Sequence, residues 1–188
     1  MFRLSPVRYL CEHFMTKTEI LSQHSSYVEN ALRHIFLSDL FRAVWQRDYA
    51  QKLQIYNNEV DDSGFDLVAN LDGIVRHIQL KATHTKGSAR SISAHTALGL
   101  AQGGCIVWMF YRASDLAIEH YRFFGQHAGS GDAMPDISLR PAALTQRRDI
   151  RGLRRARTNH RVIPRSAFDG PLDIDGLLDA LFQSPRGA

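Results

Sequence analysis

Between residues 25 and 45, "SSYVENALRHIFLSDLFRAVW", apolar side chains recur every fourth position at Leu32, Phe36, Leu40 and Val44. That spacing lines one face of an α-helix, and Ser25 or Ser26 supplies an N-cap oxygen for its first turn. The period then changes. Residues 53–60, 65–71 and 74–83 read as strands, with the turn "DDSG" (61–64) after the first and Asp72-Gly73 between the other two. Asp-Gly between two alternating runs is a strong hairpin signal, because the tight two-residue turn needs positive φ at both central positions. Residues 94–102, "AHTALGLAQ", suggest a short helix capped by Ser93 and stopped by Gly103-Gly104. The unbroken apolar run "CIVWMFY" (105–111) has the length and character of a strand buried on both faces. Residues 117–124 alternate as a further strand, and 173–182 close the pattern as a helix.

Read in order, these elements predict an α/β fold, with a helix, three strands, a second helix and a strand forming a mixed sheet flanked by helices. The expected organisation is a leader over 1–24, in which Met15 offers an alternative start, a core over 25–125, and an arginine-rich extension of the same domain over 126–188. Composition alters this little. At 188 residues, 44% hydrophobic and 22% charged, the chain suits one globular domain. No run approaches the roughly 18 apolar residues of a membrane span. Arg3, Arg8, Glu12 and His13 interrupt any signal-peptide core. Cys11 and Cys105 lack ligand spacing, so a structural zinc is not expected and a reducing cytoplasm is.

Charge changes more. The net charge is +4 and the isoelectric point is near 9.3. The stretch 147–165 carries eight arginines against one acid, Asp149. A charge run is ordinarily a solvated face, or here a surface for a protein partner or a homodimer. Arginine at this density also suits phosphate, through its forked donor geometry. Arg147, Arg148, Arg151, Arg154, Arg155, Arg157 and Arg161 are therefore candidate nucleic-acid contacts.

The hairpin carries the candidate chemistry. With Asp72-Gly73 as the turn, facing residues have numbers that sum to 145, so Asp66 is expected opposite Gln79. Lys81, two positions on, projects to the same side. Phe65, Leu67 and Ala69 with Ile78, Leu80 and Ala82 form the expected apolar face. On a helical wheel Glu29 falls within about 20° of Phe36 and Leu40, which places a carboxylate on the apolar stripe. Asp66, the Gln79 side-chain carbonyl and the Leu80 main-chain carbonyl offer hard oxygen ligands for Mg²⁺, with Mn²⁺ as a substitute. Glu29 could hold a water, and Lys81 could offset charge in a phosphoryl transition state. Glu59, Asp61 and Asp62 suit a turn, although Glu59 could approach from the neighbouring strand. His77 is mid-strand, and His84, His95, His120, His127 and His160 read as surface residues.

The segment "SGFDLVANLDGIVRHIQLKA" (63–82) resembles the catalytic hairpin of the PD-(D/E)XK nuclease superfamily. It is most similar to the Mrr-type variant, whose third motif reads Gln-X-Lys. The resemblance covers roughly residues 25–111 and implies a restriction-endonuclease-like core (α-β-β-β-α-β). It also implies a Mg²⁺-dependent DNA endonuclease with Asp66, Gln79 and Lys81 catalytic and Glu29 accessory. No proline precedes Asp66, and Gln79 brings no charge to the metal, so the chain departs from the commoner pattern. The substrate expected is DNA, double-stranded by preference, in restriction, defence, a mobile element or repair. Two other readings compete: a catalytically silent nucleic-acid-binding module that keeps the fold, and a purely structural partner protein. A lone Asp–Lys pair across a hairpin is, after all, worth under about 1 kcal/mol as a surface salt bridge.

Overall fold

The helical stripe forms as the spacing predicts. In the computed structural model, which describes residues 25–57, 64–128, 134–145 and 150–183, helix α1 spans Ser25–Arg47. Val28, Leu32, Phe36, Leu40, Ala43 and Val44 are its buried positions. Each fully buried Leu or Phe contributes roughly 1.5–3 kcal/mol, so this face fixes the helix on the sheet below it. Ser25 and Ser26 lie inside the first turn of α1. The leader (1–24), the turn acids Glu59, Asp61 and Asp62, and Arg147, Arg148 and Asp149 lie outside the described residues.

Six strands make the main sheet: β1 (Gln54–Asn57), β2 (Leu67–Leu71), β3 (Ile74–His84), β5 (Gly104–Tyr111), β6 (Ile118–Gly125) and β9 (Asp169–Leu172), in the order β1-β2-β3-β5-β6-β9. β3 and β5 run parallel and every other pairing is antiparallel. The hairpin register is as expected, from Leu71 opposite Ile74 to Leu67 opposite Ile78. Asp72 and Gly73 both have positive φ, at 50° and 85°, which is the turn chemistry that a two-residue hairpin loop requires. Every residue of β5 is buried.

The expected helix over 94–102 is not an α-helix. Ser91–His95 instead forms strand β4, and Thr96–Leu100 makes a single 3-10 turn, in which the Ala97 N–H donates to the His95 side chain. β4 finds a partner that local spacing could not reveal, the strand β8 (Ala156–Pro164), which also pairs with β7 (Ala142–Leu144). These three strands form a second sheet, in the order β4-β8-β7. The segment expected as an extension is therefore woven into the molecule: β8 joins the small sheet, β9 the main one, and helix α2 (Ile174–Phe182), capped by Asp173, packs beside α1.

Two cores result, one on each face of the main sheet. Val107 and Met109 of β5 pack with Phe36 and Leu40 of α1 and with Leu177 and Leu181 of α2. The alternate residues of the same strand, Ile106, Trp108 and Phe110, pack with Ala94, Ile163 and Phe168 from the small-sheet side. The fold is thus mixed α/β, with two helices on one face of a mixed sheet and a three-stranded sheet on the other. Among the described residues no helix is long and apolar enough to cross a membrane.

Candidate active site

β3 continues to His84, while its pairing with β2 ends at Ile78. The edge of β3 beyond that point is where Asp66 sits. Asp66 leaves the ladder: its N–H donates to Ile78 O at 2.9 Å, one residue off the hairpin register. Its carboxylate accepts the Leu80 N–H at 2.6 Å through Oδ2. The side chain has taken over a main-chain bond, so the expected pairing of Asp66 with Gln79 does not hold. The slip also breaks the alternation of facing residues. Leu67 and Ala69 join the helix-side core, whereas Phe65 crosses to the small-sheet core and meets His77 edge-on. In a strand the N–H and C=O of one residue point to the same neighbour, so the Leu80 carbonyl faces the same edge as Asp66.

A cleft of about 240 Å³ opens at this edge, between the first turns of α1 and the end of the hairpin. Glu29, Asp66, Leu80 and Lys81 all line it, together with Asn30 and Arg33. Three of the four residues expected from the sequence to be catalytic are thus brought together by three separate elements. Glu29 is exposed and not buried in the stripe; Val28 takes the core position and Glu29 turns to the cleft mouth. The Glu29 charge nevertheless acts inward. Tyr111 has its pKa raised, first by burial and then by that carboxylate.

Gln79 stands differently. It pairs with Ile106, and Lys81 with Trp108, so both begin on the small-sheet face of β3. Lys81 still lines the cleft, whereas Gln79 does not; its side chain is buried and, among the described residues, its Oε1 has no hydrogen-bond donor. Such an orphaned buried oxygen costs about 1–3 kcal/mol unless something meets it. In the cleft itself the Asp66 carboxylate, the Leu80 carbonyl and Glu29 make an all-oxygen donor set of the kind that hard divalent cations take, and the Gln79 oxygen belongs to the residue just before Leu80 on β3. Among the described residues no group of three His, Cys, Asp or Glu side chains could hold a metal on its own. Amide and main-chain oxygens would have to complete the shell.

Arg33 is the residue that sequence reasoning missed. Its Nη2 donates to Asn57 Oδ1 and, at 3.5 Å, to Asp66 O, so the helix grips both strand ends beside the cleft. The signal was present, since Arg33 stands four residues after Glu29 and so on the same face of α1. His77 serves the fold, because its Nδ1 meets Gln102 O at 2.7 Å and its N–H donates to Gly103 O. Gly103 itself has a φ of 66°, and a Cβ there would meet Val75 O at 2.3 Å. Only glycine lets the chain pass that close on its way into β5.

The arginine candidates spread along the small sheet. Arg151, Arg154 and Arg155 are exposed before β8, and Arg157 is exposed on it, with its Nη2 at 2.7 Å from His160 Nε2. Arg161 is half-buried and committed to the fold, donating to the carbonyls of Ser138, Thr158 and His160. Comparison of the chain with protein-family models, with curated proteins and with solved structures finds no match.

Proposed function

We propose that the protein is a Mg²⁺-dependent nuclease that hydrolyses phosphodiester bonds in DNA, built on a restriction-endonuclease-like core. The observation that carries this reading is the convergence of Glu29, Asp66 and Lys81 on one cleft. Two carboxylates, one ammonium and the Arg33 guanidinium around a small open site suit an anionic substrate bridged by a cation. The antiparallel meander β1-β2-β3, with β5 parallel to β3 and α1 packed across them, supports the core assignment. The second helix of that core is here replaced by β4 and a 3-10 turn.

Asp66, Leu80 through its carbonyl, and Gln79 would hold the metal. When bound, Mg²⁺ supplies polarisation of a phosphoryl oxygen and acidification of water. The chain's own residues do the rest. The Leu80 N–H fixes Asp66 Oδ2, and Arg33 fixes the main chain behind it, so the carboxylate is oriented before substrate arrives. Glu29, at the cleft mouth, orients the attacking water and takes up its proton. Lys81 places a positive charge where the phosphoryl oxygens gain negative charge, an interaction stronger in the transition state than in the bound duplex.

The test is nicking of supercoiled plasmid with Mg²⁺ or Mn²⁺ by the wild type and Lys81→Ala. The expected result is cleavage that falls about 10²–10³-fold in the variant, with duplex affinity held within a few fold. A wild type that binds duplex but leaves it intact with either metal overturns the enzyme and favours the silent binding module. Equal losses of binding and cleavage make Lys81 a phosphate clamp only.

A further inference from the structure

On the face of the main sheet that carries Lys81, two arginines and a histidine gather beside Trp108 and Phe110. β6 places Arg122 opposite Trp108 and His120 opposite Phe110, while β3 places Lys81 and Thr83 opposite the same two aromatics from the other side. The rows therefore read Lys81–Trp108–Arg122 and Thr83–Phe110–His120. With strands about 4.8 Å apart, the Lys81 and Arg122 backbones stand roughly 10 Å from each other. The His120 ring stacks on Phe110 at 4.5 Å, with 9° between the planes. Arg165, just beyond β8, lays its Cζ 4.6 Å from the centre of the same Phe110 ring.

Among the described residues none of His120, Arg122 and Arg165 forms an ion pair, and Glu119, which acts on His120, is itself paired with Arg112 at 3.6 Å. Among the described residues, Arg122 Nε and His120 Nε2 are buried without a hydrogen-bond partner. Burial first, and then Arg165, holds the Arg122 pKa down; burial, Arg122 and Arg165 do the same to His120. Gathering like charges with unsatisfied polar atoms costs free energy, which the ring contacts of Arg165 and His120 with Phe110 offset only in part. A tetrahedral oxyanion would meet that need, since guanidinium forks pair with its oxygens and its charge offsets the two arginines and favours protonation of His120. The half-buried side chains leave the cluster partly open to solvent.

We propose that His120, Arg122 and Arg165 form an oxyanion site that takes a phosphate group. The oxyanion chemistry stands by itself. That the phosphate belongs to a nucleic-acid backbone leaving the cleft past Lys81 and across Trp108 rests on the nuclease reading.

The test follows the His120 ring resonances of the full-length protein by NMR, first with inorganic phosphate and then with a short duplex oligonucleotide. Movement with both assigns the site to a backbone phosphodiester, and movement with phosphate alone assigns it to a free phosphate or monoester. No movement with either overturns the site. Calorimetry with inorganic phosphate adds a second reading: each of Arg122→Gln and Arg165→Gln should weaken binding about tenfold. Affinity that survives both arginine changes overturns the proposal. A protein that binds phosphate here yet cuts no plasmid sinks the nuclease and leaves this site standing.

Discussion

Strand β5 shows two different neighbourhoods to its two sides. Val107 and Met109 meet Phe36, Leu40 and Leu177, an almost wholly aliphatic and aromatic contact with the helices. The buried charge on that side, Arg76, donates through Nε to Leu181 O, and so ends against the last-turn carbonyls of α2, where a cation is favoured. Trp108 and Phe110 look the other way and meet Phe168, His120 and Arg165. That side holds the orphaned atoms Gln79 Oε1, Ser93 Oγ, His120 Nε2 and Arg122 Nε; Arg33 Nε, which shares their condition, lies at the cleft. Among the described residues, then, buried polar side chains of the helix-side core away from the cleft are satisfied within the fold, and several on the small-sheet side are not. Unsatisfied buried donors and acceptors mark where a fold gives up stability for something outside itself. The helix side builds the molecule, and the small-sheet side keeps donors and acceptors that the described fold leaves unmet.

The largest test of that contrast is Phe36→Ala, which removes a fully buried ring from the helix-side core. It should cost about 3–5 kcal/mol in chemical denaturation. Arg122→Gln, which removes an uncompensated charge from the other side, should leave stability unchanged or higher. Comparable losses for both would erase the distinction.

Gln79→Glu sharpens the contrast at the site itself. A carboxylate in place of the orphaned amide is buried without a partner when metal is absent, so it should cost about 1–3 kcal/mol in chelator. Mg²⁺ should restore most of that loss and keep cleavage at or above the wild-type rate. Melting curves with chelator and with Mg²⁺ give the answer without any activity. A variant equally unstable in both would remove Gln79 from the metal site.

The same division explains what the sequence made legible. The helix-side elements are written in local patterns: the four-residue stripe of α1, the Asp72-Gly73 turn, the unbroken run of β5. Each was readable from a few neighbouring residues: a period, a turn that needs positive φ, or a run buried on both faces. The small-sheet side is written in long-range pairings. Ala94 and Leu98 are spaced as on a helix, yet residues 91–95 are held as a strand by β8, some seventy positions away (Ser93 opposite Val162, 162 − 93 = 69). β8 itself, "ARTNHRVIP", alternates polar with polar and gives no periodic signal. At the candidate site, the grouping of Glu29, Asp66 and Lys81, which line one cleft, was legible. The slip at Asp66 was not, because it depends on a side chain displacing a main-chain bond.

A smaller effect concerns the exposed arginines before and on β8. Replacing Arg154, Arg155 and Arg157 together with alanine should weaken duplex binding across all sequences and flatten its salt dependence by up to about three units of slope. Cleavage per bound complex should change little, since the cleft is untouched. Affinity measured against salt concentration decides it; an unchanged slope would make this edge of the small sheet a surface for a protein partner.

The smallest expected effect is a pH dependence. His120 is held below its usual pKa by burial, then by Arg122 and Arg165, with Glu119 opposing them. Between that lowered value and the ordinary histidine value of about 6.5 the unfolded chain binds more protons than the folded one. The contribution of neutral His120 is therefore complete above about pH 6.5 and is lost as pH falls through the folded value. His120→Gln, which cannot titrate, should flatten this part of the melting-temperature profile between about pH 8 and about pH 5. Phosphate at the oxyanion site supplies the missing negative charge, so it should raise the His120 pKa and flatten the wild-type profile in the same window. The three profiles are measured in one series: wild type, wild type with phosphate, and variant. If the wild type and His120→Gln profiles coincide, the cationic cluster exerts no strain on the fold, and the contrast between the two faces must rest on the Gln79 oxygen.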